Sequence, residues 1–422
     1  MATPDNPTLG GGAAAGGRKA AVGFILVSVW LDVLSLGVII PAYPKLVQQF
    51  VGGDPAKAGL YVGLFGTIWC VAQFAGAPIQ GALSDRFGRR PVLLISLFGL
   101  ALDYLVMAFA PTLSWLLVGR VLSGFTAASM PVASAYIADT TPPEKRAATF
   151  GMIGAAWGVG FIAGPSIGGL LGDFGVRLPF LGAAALTLVG ALYGLFVLPE
   201  SLKPENRSPF SWARANPFAS LGFLASHREL FTLSAANFLL QLAHGVLPTI
   251  FVLYASNRYG WDLKATGAAL ALTGVCNIFM QGLVVQRVVS WIGEWGAVFL
   301  GLAGGAAGFA IYGLAPSGLL FLAGTPVFAL MGLFGPGFQA LITRGVAANE
   351  QGRLQGANAS LTGLAGIISP TIFGATYAWF LSPGHPYVPG SAFLLAAVLN
   401  GLGALIAVAA MTRRTEAAGT VA

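Results

Sequence analysis

The chain has 422 residues, 56% of them hydrophobic and only 9% charged, where a soluble domain carries about 25% charged residues. No water-borne core can hide that much apolar surface, so the solvent for this chain is a bilayer. The net charge of +7 does not point to nucleic acid, because the basic residues fall in short loops between apolar runs, where the positive-inside rule accounts for them.

Residues 1–20 are rich in Gly and Ala and are expected to form a disordered cytoplasmic N-terminus. They do not read as a cleaved signal peptide, since the apolar run behind them is too long and carries Asp32. A membrane-spanning helix needs about 20 apolar residues. Twelve such runs follow, at 21–46, 59–83, 91–109, 112–139, 147–171, 176–198, 229–255, 264–288, 295–315, 318–345, 354–381 and 390–411. An even count puts both ends on one side, and Arg18, Lys19, Arg413 and Arg414 assign that side to the cytoplasm. Sixteen Lys or Arg then fall on the inside, five (Lys45, Lys57, Arg177, Arg258 and Lys264) on the outside, and Arg120 within the membrane.

One long polar connection, 199–228, divides the runs six and six. It holds Pro199, Pro204, Pro209 and Pro217, with Trp212 and Phe218 among its charges, and reads as a linker lying on the cytoplasmic surface. The expected fold is an all-α membrane protein with an N-terminal half (21–198), this linker, a C-terminal half (229–411) and a cytoplasmic tail (412–422). The halves repeat. Gly151, Pro165 and Gly169 recur as Gly356, Pro370 and Gly374 at an offset of 205, and Gly81 and Arg86 as Gly282 and Arg287 at an offset of 201. Parallel duplicated halves suit alternating access around a central site.

Four ionisable residues fall deep in spans: Asp32, Asp103, Arg120 and His244. A charge at mid-bilayer costs about 2.5–3.5 kcal/mol on insertion scales, so each is a functional candidate. At 1.5 Å per residue, Asp103 lies roughly 18 Å in from the inner face and Arg120 roughly 12 Å in from the outer one. In a core about 30 Å thick these depths coincide, and Asp32 enters to roughly 16 Å from the inside. All three can face one cavity, with Arg120 holding a carboxylate, Asp32 or Asp103, in its charged form until a proton arrives. In the second half Gln241, His244, Asn277 and Gln281, with Asn237 and more weakly Gln339 and Asn358, are candidates for the substrate cavity, to which Asp32 also contributes. A packing role for His244 and a static buried Asp–Arg pair remain as alternatives. Cys70 and Cys276 lie in apolar runs and suggest neither disulfide nor metal site.

Three stretches carry a family resemblance. The loop Gly81-Ala-Leu-Ser-Asp-Arg-Phe-Gly-Arg-Arg-Pro91 has Gly, Leu, Asp, Arg, Gly and Arg at the spacing of the loop between helices 2 and 3 of the major facilitator superfamily. The fifth run, from Gly151 through Gly160, Gly164, Pro165, Gly168 and Gly169, resembles the conformational glycine helix of the drug/proton antiporter branch. The first run, with Asp32, Gly37, Pro41 and Pro44, and the fourth, with Leu116, Arg120, Ser123 and Gly124, resemble that branch too. Gly99-Leu-Ala-Leu-Asp103-Tyr104 and Ala135-Tyr-Ile-Ala-Asp139 look like tetracycline-efflux pumps. The resemblance implies proton coupling through Asp32, Asp103 and Arg120, and gating by Asp85, Arg89 and Asp139.

It breaks in the ninth run, where Gly305 stands at the place of the acidic residue of tetracycline pumps, and Asn277 stands near the His expected in the eighth. The expected function is proton-coupled export of tetracycline-like or other amphipathic drugs by a monomer in the inner (plasma) membrane. Its partners are the small-molecule substrate, protons and the lipid bilayer, with no nucleic acid, cofactor or metal. Uptake of a small metabolite by a facilitator or symporter is the alternative, and a membrane receptor a distant one. No Walker loop, metal cluster or nucleophile constellation suggests an enzyme.

Overall fold

The computed structural model describes residues 11–127, 129–210, 222, 224, 228–344, 346–347 and 350–419. The first span, α1, runs Gly11–Ile39 and continues after a 40° bend as Ala42–Phe50. Pro41, at the bend, has no N–H to continue the ladder. Residues 11–20, expected to be disordered, are helical here. The remaining spans of the first half are α2 (Pro55–Phe87), α3 (Arg89–Phe109), α4 (Leu113–Thr126 and Ser129–Thr140), α5 (Pro143–Phe174) and α6 (Leu178–Val197).

The second half opens with α7 (Arg228–His244 and Val246–Tyr259) and α8 (Leu263–Phe279, extended through a π-helical turn at Met280–Val284). The helix Val285–Leu314 then reverses at Gly293, where φ is 72°. Val285 and Ala297, on either side of that glycine, pack in one cluster with Met280 and Leu333. The arm beyond Gly293 is α9. There follow α10 (Gly318–Ala323, Thr325–Ala329, a 3-10 turn Leu330–Leu333 and Phe334–Arg344), α11 (Gln351–Leu381) and α12 (Ser391–Gly419). Among the described residues, ten helices are long and apolar enough to cross a membrane. The bent pair of α1 makes eleven, and the reversal at Gly293 makes twelve. Helix α12 continues into the expected tail because Arg, Glu and Ala there are good helix formers. Trp212, Pro217 and Phe218 of the linker lie outside the described residues.

The broken spans are the first, fourth, seventh and tenth, one per three helices. Broken helices survive in a bilayer only where other groups satisfy the freed backbone. At the α4 break this is Gln80 of α2. Its amide donates to the Phe125 carbonyl, and its own oxygen accepts from Ser96 at 2.9 Å. The two hairpin turns, α2–α3 and α8–α9, each consist of one glycine with positive φ, Gly88 (109°) and Gly293 (72°). They stand 293 − 88 = 205 residues apart, the offset of the Gly151/Gly356 pair. The offset of 201 that relates Arg86 to Arg287 therefore misplaces the second turn by four residues.

Helix α2 packs against α11, and α5 against α8, and these two seams join the halves. Both are backbone-close on the side opposite the termini. A methyl group on Gly63 would strike the Pro370 carbonyl and lie 3.0 Å from the Cα of Gly374, and one on Gly169 would lie 2.6 Å from the Leu263 carbonyl. One hydrophobic cluster, from Val38 and Phe65 to Tyr254, Tyr377 and Phe393, crosses the seams on that far side. Toward the termini the core splits. Ile25, Val92 and Tyr136 belong to a cluster of the first half alone, and Leu233, Leu302 and Leu354 to one of the second. Gly81, Gly151, Gly154, Gly282 and Gly352 on the terminal side have no neighbour within 4 Å of an added methyl. The halves thus meet on the far side and part toward the termini.

Gly63→Val is expected to destabilise the protein by about 1–3 kcal/mol through overpacking, lowering its thermal unfolding midpoint in detergent. Gly81→Ala, in open space, is expected to raise the midpoint or leave it unchanged, since Ala is favoured over Gly in a helix by about 0.5–1 kcal/mol.

Candidate functional site

The structure brings Asp103 of α3 and Arg120 of α4 together inside the first half. Arg120 Nη2 lies 3.5 Å from Asp103 Oδ2 and 3.0 Å from Met107 Sδ. Its guanidinium sits 4.6 Å above the ring of Tyr43, which α1 contributes just after the Pro41 bend. Asp103 is 0% exposed and Arg120 9%. Gly119 makes the approach of the two helices feasible, since a methyl there would fall 2.5 Å from Asp103 Oδ1 and 3.2 Å from Met107 Cγ. The pair is poorly satisfied for a buried one. Asp103 Oδ1, Arg120 Nε and the Tyr43 hydroxyl are buried with no hydrogen-bond partner. Two charges taken out of water are held chiefly by each other, so removing either strands its partner.

Of the two carboxylates open to Arg120, the structure selects Asp103. Asp32 is half-buried and lines a narrow cleft with Ser28, Leu93, Leu97, Ala133 and Leu198. Tyr104 lies in the electrostatic field of Asp32, Asp103 and Arg120 alike, so the three share one neighbourhood. They do not share one open cavity as expected, because Asp103 is sealed by α3–α4 packing.

The second-half candidates separate into two kinds. His244, at the α7 break, is accessible although it lies deep within the protein mass, with its ring stacked 6.4 Å from Phe328 of α10. Gln281, in the π-helical turn of α8, is exposed, and Gln241 and Asn277 are half-buried. Polar side chains with accessible surface at mid-span are costly against lipid. Asn237 and Asn358 are buried instead. Asn358 accepts from Ser234 at 3.1 Å and donates to the Leu354 carbonyl at 3.2 Å, which ties α11 to α7. Gln339 is exposed. At the floor of the cleft Thr67 of α2 donates to the Ile367 carbonyl of α11 at 2.8 Å, in the turn that Pro370 loosens, and meets Thr371 at 2.8 Å. Sequence reasoning missed both Thr67 and Tyr43. The π-helical turn left no sequence signal.

Position 305 of α9 is filled from outside. A side chain there would meet Asn400 Nδ2 of α12 at 2.7 Å and Met331 Sδ of α10 at 3.0 Å. An acid there would have to displace the ends of the Asn400 and Met331 side chains.

Asp85, Arg89 and Asp139 form one cluster on the terminal side. Arg89 Nη1 lies 2.5 Å from Asp85 and donates to Ser84 at 2.6 Å, and its Nε lies 3.2 Å from Asp139. Glu200, beyond α6, was missed by sequence reasoning. It caps α3 by accepting from the backbone N–H of Arg89 (2.8 Å) and Arg90 (3.2 Å). Ser201 adds a donor to Asp139 at 3.2 Å. The second half repeats the clasp with its charges exchanged. Glu294 and Arg344, each 205 residues on from Arg89 and Asp139, pair at 2.6 Å. A cation at a helix start and an anion at a helix end oppose the helix dipoles, and the reverse arrangement suits them. Arg89 and Asp139 oppose them and need Glu200, Ser84 and Ser201. Glu294 and Arg344 agree with them and stand alone among the described residues.

The glycine helix α5 serves two neighbours. Gly160 and Gly164 lie against α1, where a methyl on Gly37 would come within 2.9 Å of the Gly164 Cα, and Gly168 meets Val38. The Pro165 carbonyl and Gly169 turn the other way, to α8, and Gly151 is open. Cys70 and Cys276 are both free thiols.

Comparison with known proteins was made on this basis. The profile of the Major Facilitator Superfamily matches residues 25–370. The chain is 37% identical to the class C tetracycline resistance protein of Escherichia coli over 373 residues, covering 88% of this chain and 93% of that one. It is 36% identical to the class G tetracycline resistance protein of Vibrio anguillarum, covering 86% and 91%. Among solved structures, a variant of the nucleoside transporter NupG superposes with a TM-score of 0.78 at 14% identity over 92% of this chain and 99% of that one, a likeness of fold.

Arg120→Leu alone is expected to destabilise the protein by about 3–5 kcal/mol, by stranding the Asp103 carboxylate. Adding Asp103→Leu is expected to recover most of that loss. Thermal unfolding of the single and double variants in detergent checks both.

Proposed function

We propose that this chain, which belongs to the major facilitator superfamily, exports a tetracycline-like or other amphipathic drug in exchange for protons. It is a multi-pass membrane protein of a family whose members move small molecules. We place it in the inner membrane with both termini in the cytoplasm, on the strength of the Lys and Arg bias of its loops, and working as a monomer. The described conformation, closed on the far side and parted toward the termini, is then the one that faces the cytoplasm.

The observation that carries the reading is the sealed Asp103–Arg120 pair. With Asp103 ionised the pair is intact, and the cleft lined by His244, Gln241, Asn277 and Gln281 is open to the cytoplasm to take up drug. When the far side opens, water reaches the pair and a proton adds to Asp103. Closing the far side again would then bury Arg120 without its counter-ion, which costs several kcal/mol and therefore biases the equilibrium between the two mouths. Asp32, in the adjoining cleft, extends the proton path toward the terminal side. Asp85, Arg89 and Asp139 gate that side, and the glycines of α5 let α1 and α8 slide on it. Position 305 holds a glycine and no acid, so coupling rests on Asp103 and Arg120 of the first half. The relatives named for tetracycline resistance support the drug class.

Everted vesicles containing the chain, with an acid interior, are expected to accumulate tetracycline, and a protonophore to abolish the accumulation. Asp103→Asn is expected to reduce gradient-driven accumulation by about tenfold, within the usual range of coupling energies, while leaving gradient-independent exchange of labelled for unlabelled drug intact. Full gradient-driven accumulation in Asp103→Asn and Arg120→Lys overturns the proton role. Loss of drug from vesicles under the same gradient overturns export.

A further inference from the structure

The nine-residue second part of α1, Ala42–Phe50, touches both the buried ion pair and the opposite half of the molecule. Tyr43 lies under the Arg120 guanidinium at 4.6 Å. Lys45 donates to the Ser256 hydroxyl of α7 and to Gln48 at 3.3 Å. Ser256 belongs to the C-terminal half, so Lys45 is a polar tie across the far-side seam. Two residues apart on an α-helix are about 200° apart around its axis, so Tyr43 and Lys45 point from nearly opposite faces. Beyond Lys45 the segment is anchored by packing. Leu46 and Val47 are fully buried in the cluster that spans both halves. Its distal end is held through Phe50, whose ring lies 5.8 Å below Arg177. Arg177 in turn donates to the Ala108 (2.7 Å) and Ala110 (2.9 Å) carbonyls at the end of α3. The proximal end is the 40° bend at Pro41, where the ladder is interrupted. A rigid segment with a hinge at one end, an ion pair on one face and a cross-half tie on the other has the form of a lever.

We propose that this segment transmits the state of the Asp103–Arg120 pair to the far-side seam, with Tyr43 as the positioning residue that senses the guanidinium and Lys45 as the tie it makes or releases. The inference rests on the reading of Asp103 as the proton acceptor. While Asp103 is ionised, Arg120 is held between the carboxylate and the Tyr43 ring, and the segment keeps Lys45 on Ser256. A protonated Asp103 no longer holds Arg120. The guanidinium shifts on the ring, the segment turns about Pro41, and the tie to Ser256 is lost as the far side opens. The titratable and charged groups that face the pair are Tyr43, Cys70, Tyr104 and, through Tyr104, Asp32. Of these, Cys70 faces Gly366 of α11 across the seam. Within the segment, Lys45 makes the hydrogen-bonded tie to the other half, and Leu46 and Val47 meet it through the shared apolar cluster.

The test uses the full chain in right-side-out membranes, with Cys70 and Cys276 replaced by Ala and one reporter, Leu263→Cys. Leu263 of α8 packs against Gly169 and Gly172 of α5 at the edge of a far-side cleft, so a membrane-impermeant maleimide is expected to reach it slowly while the seam is closed and fast once it opens. Going from neutral to mildly acidic pH is expected to raise the labelling rate about fivefold or more, as for an ordinary coupling energy. Tyr43→Phe keeps the ring and is expected to keep this response. Tyr43→Leu is expected to abolish it, leaving the same labelling at both pH values, while the protein still elutes as a monodisperse peak. Lys45→Met is expected to raise labelling at both pH values, because the tie is gone whatever the pair does. A full pH response in Tyr43→Leu overturns the lever and leaves the proton reading standing. A full pH response in Asp103→Asn overturns the proton reading, and the lever falls with it.

Discussion

Two helix pairs, α2 with α11 and α5 with α8, approach so closely on the far side that glycine Cα atoms touch proline and glycine backbone across them. Every other property of the molecule depends on that approach. In lipid there is no hydrophobic force between helices, so small residues that let backbones meet supply the association. Such seams carry little side-chain interlock. They can therefore close at one end and open at the other as rigid bodies, and the structure shows them so, with one shared core on the far side and separate cores toward the termini.

The ionisable chemistry sits away from the seams, inside the first half. Asp103 and Arg120 are dry, close and short of hydrogen-bond partners. A pair of this kind contributes little to stability and is sensitive to the loss of one charge. That combination suits a switch better than a strut. The second half presents accessible but uncharged polar groups around His244 and fills position 305 with Asn400 and Met331. The duplicated halves have thus divided their tasks. The terminal-side clasps show the same divergence, with Arg89–Asp139 working against the helix dipoles and Glu294–Arg344 with them.

Much of this was legible in the chain because a bilayer leaves few choices. Twelve apolar runs had to be twelve helices, since no other structure built on them satisfies its backbone in lipid. The depth of a residue follows from the helical rise, so Asp103 and Arg120 could be placed at one level before any contact was known. The loop around Gly88 marked Asp85, Arg89 and Asp139 because charges are scarce elsewhere. The lost details were those with no period. The π-helical turn at Met280–Val284 leaves no mark in hydropathy. Glu200 looked like a linker charge, and only the approach of the α6 end to the α3 start makes it a cap.

The amino-acid sequence by itself determined how many times this chain crosses the membrane, where its charges lie in depth and where its helices must be thin. These follow from local composition and from the rise of a helix, both one-dimensional quantities. Only the tertiary structure decided which carboxylate Arg120 takes, that Tyr43 lies beneath it, that Lys45 reaches Ser256, and on which side the halves are closed. Those facts depend on the rotation of each helix about its axis and on its tilt against its neighbours. Such angles are set by packing against residues hundreds of positions away, as Gly63 is against Pro370.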